Sequence, residues 1–228
     1  MTLDKLQQTI AIQFTTIELL RLAFIHRSHL NEAKHLKESN ERLEFLGDAI
    51  LSFLTSEYLY KQYPDFPEGT LTNIRSSLVK TQSLASVARK LELGELLMLS
   101  RGEQASGGRT NVSLLADCFE ALLGAIFLDS NVDAVRKFLE TFLFPSAAEI
   151  VEKKSYVDYK SQFQEIVQER SRVSPTYHVT KSEGPDHAKT FWVVATVGGE
   201  AKGEGSGKSK QEAEQAAAAN ALEKLGKL

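Results

Sequence analysis

The chain of 228 residues has a single cysteine, Cys118. A lone thiol excludes an internal disulfide, and its simplest reading is a small buried hydrophobe. Long apolar runs are missing too: no stretch approaches the ~20 residues that a bilayer-spanning helix needs. Residues 1–14 mix Asp4 and Lys5 with scattered apolar side chains and lack the layout of a secretory signal. These absences point to the cytoplasm and away from a membrane partner. There is also no surplus of charge of either sign. The net charge is −3, which argues neither for nor against a polyanionic partner. Residues 154–228 hold 11 basic and 10 acidic residues, against 16 and 20 in the remainder. A nucleic-acid surface must therefore come from where cations are placed, not from their sum.

What is present is acid in costly places. Asn40 to Leu51 reads as the start of an amphipathic helix running to about Tyr60, with Asn40 as its N-cap. Glu41, Glu44 and Asp48 fall three and four residues apart, so they share one face. Leu43, Leu46, Ile50, Phe53 and Leu54 form the opposite, core-facing stripe. Like charges at this spacing destabilise a helix by roughly 0.2–0.5 kcal/mol per pair. The only local cation, Arg42, points away from the acidic arc. Such an arc is either a solvated face or a ligand set for a hard divalent cation, Mg²⁺ or Mn²⁺.

Ser113 to Leu128 is almost wholly apolar, which predicts a buried helix. Yet it carries Asp117 and Glu120, one turn apart. A buried carboxylate needs a partner. If the two helices pack face to face, Glu44, Asp48, Asp117 and Glu120 converge on a metal site. Alternatively Arg75, Arg101 or Arg109 neutralises the buried pair.

These two segments resemble the signature helix and the second acidic helix of bacterial ribonuclease III. The likeness extends to Phe24-Ile25-His26-Arg27-Ser28, to Ser106-Gly107-Gly108-Arg109, and to a C-terminal double-stranded-RNA-binding domain, so it covers nearly the whole chain. It implies an all-α nuclease domain over 1–148, a linker over 149–155, and a small α+β (α-β-β-β-α) RNA-binding domain over 156–228. The implied reaction is hydrolysis of phosphodiester bonds in double-stranded RNA by metal-activated water, leaving 5′-phosphate and 3′-hydroxyl ends, in processing of ribosomal, transfer and messenger RNA precursors. The resemblance implies Mg²⁺, with Mn²⁺ substituting, on Glu44, Asp117 and Glu120, and no small-molecule cofactor. Asp48 and Glu120 match the residues on which catalysis depends most. Glu41 and Glu68 are secondary candidates. The family acts as a homodimer, and the apolar side of the signature helix, Phe45 included, is where the interface is expected.

Elsewhere, residues 3–35 suggest two short helices, and Pro64, Pro67 and Gly69 a turn. Leu71 to Leu91 suggests one helical stretch, Gly94 to Asn111 a loop, and Val132 to Phe144 a further helix. In that loop Arg109 either reaches a phosphate or merely connects helices. Asp158 to Arg170 is amphipathic; Thr176–Thr180, Phe191–Val197 and Glu200–Gly205 are strand-like, with Gly198-Gly199 as a hairpin turn; Ala213 to Leu225 is a helix. Ser209 and Glu212 form an S-x-x-E capping box. Lys208 and Lys210 sit at that helix start, where cations oppose the macrodipole but a phosphate backbone would be welcome. The family often has further basic residues here; this chain has Gln211. By resemblance Gln164, Glu165 and His187 reach the RNA minor groove, whose 2′-hydroxyls distinguish RNA from DNA, and Lys208, Ser209 and Lys210 meet its backbone.

Two rival classes are open to test. Di-iron carboxylate proteins also gather acids from helices, but through Glu-x-x-His pairs. Here the pairs are Glu41-x-x-Glu44 and Asp117-x-x-Glu120. A non-catalytic RNA binder would have no reason to set four carboxylates near a polyphosphate.

Overall fold

A computed structural model of the chain describes residues 1–185 and 188–227. The chain divides into two compact units, Met1–Tyr156 and Val157–Leu228. The first is helical. It opens with α1 (Leu3–Ile10), α2 (Ile17–Leu22) and α3 (Arg27–Leu30), three helices where apolar spacing suggested two. Then come α4 (Glu41–Gln62), α5 (Glu68–Val79), α6 (Thr81–Lys90), α7 (Arg101–Ala105), α8 (Val112–Asp129), α9 (Val132–Phe142) and α10 (Pro145–Glu152). Among the described residues no helix is long and apolar enough to cross a membrane.

The most apolar helix, α8, is also the core of the unit: Leu115, Cys118, Phe119, Leu122 and Ile126 are buried along it. Against it α4 buries Leu43, Ile50, Leu51 and Leu54. Phe53, expected in that stripe, faces outward at 60% exposure. One residue per turn at the edge of an apolar arc can fall on either side, and Phe53 falls outside.

The expected stretch 71–91 is two helices. The break is at Lys80, whose backbone is extended (ψ 147°) and whose carbonyl accepts from the amides of Ser83 at 2.8 Å and Leu84 at 3.2 Å. No proline or glycine marks it. The loop 94–111 contains α7 and two short 3-10 turns, Leu93–Glu95 and Gly108–Thr110. The expected linker starts inside α10, where Ala147 is buried and Ile150 and Val151 pack against the core.

The second unit runs α11 (Tyr159–Ser171), β1 (Thr176–Glu183), β2 (Thr190–Val197), β3 (Glu200–Gly207) and α12 (Lys210–Lys224). The sheet is antiparallel in the order β1-β2-β3. Gly198 and Gly199 take φ of 59° and 84°, the left-handed pair that a two-residue hairpin demands. Phe163 and Val167 of α11, Val193 and Ala195 of β2, and Ala213, Ala217 and Ala221 of α12 close the core.

Candidate metal centre and nucleic-acid interface

Two glycines set the crossing of α4 and α8. A Cβ on Gly47 would lie 1.8 Å from the Glu120 carbonyl oxygen, and one on Gly124 would lie 2.3 Å from the Leu43 carbonyl oxygen. Each helix thus presents a bare backbone to the other. An interior helix glycine costs about 1 kcal/mol against alanine, and the close crossing accounts for both. Neither glycine was among the expected site residues. The available signal was an isolated glycine inside each helical pattern, which usually has a packing reason.

The crossing gathers acids from both helices. One carboxylate oxygen each of Glu44, Asp117 and Glu120 lies within 4.8 Å of the others. Asp48, expected as a fourth member, stands at the exposed rim outside this trio, near enough for its charge to act on Glu44 and Glu120. Burial, then the charges of Asp48, Glu44 and Asp117, push Glu120 up to about 8. Glu44 is raised by burial and by Asp117, Glu41 and Asp48, with Arg27 opposing. Asp117 is raised by burial, opposed by His26 and by its own backbone amide.

Among the described residues none of the four acids is in a salt bridge. The arginines that could have neutralised them are placed elsewhere. Arg75 donates to Ser56 Oγ at 2.8 Å, and Arg101 is exposed. Arg109 donates to the carbonyls of Gly94 at 2.8 Å and Glu95 at 3.0 Å, so it latches the chain before α7 and is a connector. Half-buried hard oxygens, mutually repelling and without a salt bridge among the described residues, fit a divalent cation.

The secondary candidates stand apart. Glu41 accepts from Ser39 Oγ at 2.6 Å and faces Arg27 at 3.7 Å. Glu68 accepts from Thr72 Oγ1 at 2.9 Å and lines a separate cleft with Ser56, Tyr60 and Arg75. Asn40 occupies the N-cap position of α4, its carbonyl accepting from the Glu44 amide at 2.9 Å, but its side chain makes no cap bond: the buried side-chain amide donates to the Ala23 carbonyl at 3.2 Å.

In the second unit, Gln164 and Glu165 are exposed on α11 while Phe163 and Val167 point inward. Lys208, Ser209 and Lys210 are exposed at the start of α12. Ser209 Oγ accepts from the Glu212 amide at 3.1 Å. The Glu212 carboxylate accepts from the Lys208 amide at 2.8 Å, one residue before the cap, so the capping box is closed one position early. His187 lies outside the described residues.

A carboxylate trio awaiting a cation, carried on a chain with an α-β-β-β-α unit and a cationic helix start, defines a two-domain nuclease of structured nucleic acid. The comparisons narrow the class. A family model described as Ribonuclease-III-like matches residues 16–147, and one described as Double-stranded RNA binding motif matches 159–225. The chain is 45% identical over 225 residues to the Ribonuclease 3 of Enterococcus faecalis, covering 97% of this chain and 96% of that one. It is 46% identical over 224 residues to the Ribonuclease 3 of Caldanaerobacter subterraneus subsp. tengcongensis, covering 98% of each. The solved nuclease domain of ribonuclease III from Campylobacter jejuni superposes with a TM-score of 0.58 at 34% identity, over 63% of this chain and 97% of that domain. The chain belongs to the ribonuclease III family, whose members are metal-dependent. It is a double-stranded-RNA endoribonuclease that leaves 5′-phosphate and 3′-hydroxyl ends.

Proposed function

We propose that Glu44, Asp117 and Glu120 hold Mg²⁺, with Mn²⁺ as a substitute, and that hydrolysis depends most on Asp48 and Glu120. The observation that carries this is the trio of carboxylate oxygens within 4.8 Å, drawn from two helices and free of salt bridges among the described residues. When bound, the cation would activate water and neutralise charge developing at phosphorus. The chain itself supplies rigidity: α4 and α8 hold the ligands across a backbone contact that leaves no room to slide. Asp48, exposed at the rim, would accept a hydrogen bond from water entering with the RNA. Glu41, tethered by Ser39 and Arg27, adds its negative charge beside Glu44. A radiolabelled hairpin RNA should be cut with Mg²⁺ and spared with EDTA; cutting in EDTA would sink the metal assignment.

Gln164, Glu165, Lys208, Ser209 and Lys210 seat the duplex in the cytoplasm, where ribosomal, transfer and messenger RNA precursors are the substrates. Lys208→Ala with Lys210→Ala should weaken duplex binding and flatten its salt dependence, because fewer counterions are released. Unchanged affinity would remove this helix start from the interface.

The active form is a homodimer. Along α4, Phe45, Phe53 and Tyr60 are 79%, 60% and 74% exposed. Beside Phe45 lies a groove of 580 Å³ lined by Leu19, Leu22, Leu46 and Leu128. A protruding aromatic next to an apolar groove suits a two-fold interface, where each copy offers both. The similar Campylobacter jejuni nuclease domain has a region involved in dimer formation. Sedimentation of the full chain at micromolar concentration should give a dimer; a monomer would overturn this.

A further inference from the structure

The first turn of α11 is tied to α12 by polar side chains. Asp158 caps α11, accepting from the Ser161 amide at 3.2 Å and from Ser161 Oγ at 2.8 Å. Gln215 reaches across from α12. Its Nε2 donates to the same carboxylate at 2.8 Å, and its Oε1 accepts from the Lys160 amide at 3.3 Å. An amide left over at the start of one helix is thus satisfied by a side chain of the other. Lys160 Nζ donates to the Glu214 carboxylate at 2.6 Å and lies 4.8 Å from the centre of the Tyr177 ring, so β1 joins the same knot. Lys160, Glu214 and Gln215 are half-buried, where charge contacts are screened less than on an open surface.

Apolar packing gives this helix pair little grip of its own. α12 enters the core mainly through Ala213, Ala217, Ala218 and Ala221. An alanine face has shallow ridges, and ridges in grooves are what fix one helix against another. The polar knot supplies that grip, and it lies one turn from the residues that face the duplex. Lys160 and Ser161 come four residues before Gln164 and Glu165; Glu214 comes four residues after Lys210. Residues four apart share a helix face. The knot therefore joins the face of α11 that carries the exposed Gln164 and Glu165 to the face of α12 that carries the exposed Lys210. A duplex-RNA domain reads shape, touching the minor groove and the phosphates across the neighbouring major groove at once. Groups on two helices meet both only when the separation of the helices is set beforehand.

We propose that Asp158, Lys160, Glu214 and Gln215 form a positioning clamp for duplex RNA: they fix α11 against the cationic start of α12 at the separation that the A-form duplex requires. The four residues need not touch RNA; they act through Gln164, Glu165, Lys208 and Lys210. Opening the clamp leaves either helix free to dock but not both together, so a phosphate contact is lost and the preference for RNA over DNA shrinks. The inference rests on the reading that those exposed residues seat the duplex.

The test uses the full chain in EDTA, with a labelled RNA duplex and the DNA duplex of the same sequence, each titrated over a range of salt well below the melting temperature. Gln215→Leu keeps net charge and bulk but removes both of its bonds. It should bind RNA about 10-fold more weakly, the worth of one charge-assisted contact, and lower the salt slope by about 1. Its affinity for DNA should barely move. Lys160→Met should behave alike, and Lys160→Arg, which can still reach Glu214 and lie over Tyr177, should restore wild-type binding. In a Glu214→Gln background, Lys160→Met should cost little more, because the pair is already weakened. A folded Gln215→Leu with wild-type RNA affinity and salt slope would overturn the proposal. So would an equal loss from Lys160→Met in both backgrounds, since Lys160 would then be acting on RNA by itself. A parallel loss on RNA and DNA would also overturn it, as the mark of a general loosening. If Gln215→Leu does not fold, Lys160→Met against Lys160→Arg decides: equal binding by the two overturns the clamp. Wild-type affinity in Lys208→Ala with Lys210→Ala would instead remove the reading of the seat on which the clamp rests.

Discussion

The two ends of α4 treat their carboxylates in opposite ways. Near its start, Glu44 meets Asp117 and Glu120 with no salt bridge, and burial raises all three. Near its end, Glu57 accepts from Lys61 Nζ at 2.6 Å and from the Arg136 guanidinium, and these bonds lower it. The same helix, the same residue type and two unlike solutions show how to tell a structural acid from a functional one. At Glu57 the protein supplies its own cations, so the charge is settled within the fold. At Glu44 it supplies further acids, and the charge left over suits a cation from outside, as proposed above.

The comparison breaks most sharply if Glu120 proves to be structural. Glu120→Gln keeps shape and helix propensity nearly unchanged. It should stay folded and bind duplex RNA, yet cleave about 100- to 1000-fold more slowly in single turnover, the size of one lost transition-state contact of ~3–4 kcal/mol. Normal turnover with a lowered melting temperature would place Glu120 in the same class as Glu57.

Next in size is the crossing that creates the difference. Gly124→Ala puts a methyl group 2.3 Å from the Leu43 carbonyl oxygen, where backbone must move. Overpacking of this kind costs about 1–3 kcal/mol, or a few degrees per kcal/mol for a domain this size. Mn²⁺ affinity should fall with it, because α4 and α8 carry the acid trio. Gly69→Ala meets nothing within 4 Å and serves as the control. Equal melting temperatures for the two variants would show that the crossing is loose.

A smaller effect comes from removing the metal. Glu120 at about 8 is raised above its ordinary value, so its contribution to stability is full below that value and is lost as pH climbs through 8. Metal-free protein should therefore melt lower at pH 8.5 than at pH 6. Glu120→Gln should flatten this slope, and saturating Mg²⁺ should cancel it. A metal-free melting temperature that rises over the same range would contradict the raised value.

The trio was legible in the sequence because helical spacing and an apolar host helix are both one-dimensional facts: Asp117 and Glu120 stand out as the only charges between Ser113 and Phe127. Asp48 at the rim was not, since two residues on one helical face can differ in depth only once a neighbour is in place. The turn at Lys80 had no breaker to announce it; hydrogen bonds to its carbonyl from the start of α6 make it, including those from Ser83 and Leu84. Arg109 looked ready for a phosphate because nothing in the sequence tells which carbonyls a guanidinium will find. In the second unit the alternating pattern and the Gly-Gly turn marked out the three strands and the second hairpin, because each of these is local.

The smallest effect is at the other end of α4. Glu57 is lowered, the opposite sign to Glu120. Its contribution is therefore present above the ordinary carboxylate value and lost as pH falls through the lowered one. Glu57→Gln should cost a little melting temperature at pH 7, and the gap to wild type should close on acidification. Exposed pairs are worth little and are screened by salt, so added salt should narrow the gap as well. Arg136 would keep Asp133, 3.6 Å away, as a partner, which limits the damage further. Cleavage at saturating Mg²⁺ should not change, because neither Lys61 nor Arg136 reaches the acid trio. A Glu57→Gln variant that loses cleavage while keeping its stability would mean that the paired end of the helix also serves the reaction. Whether a protein cation is already present would then no longer separate the two classes of acid.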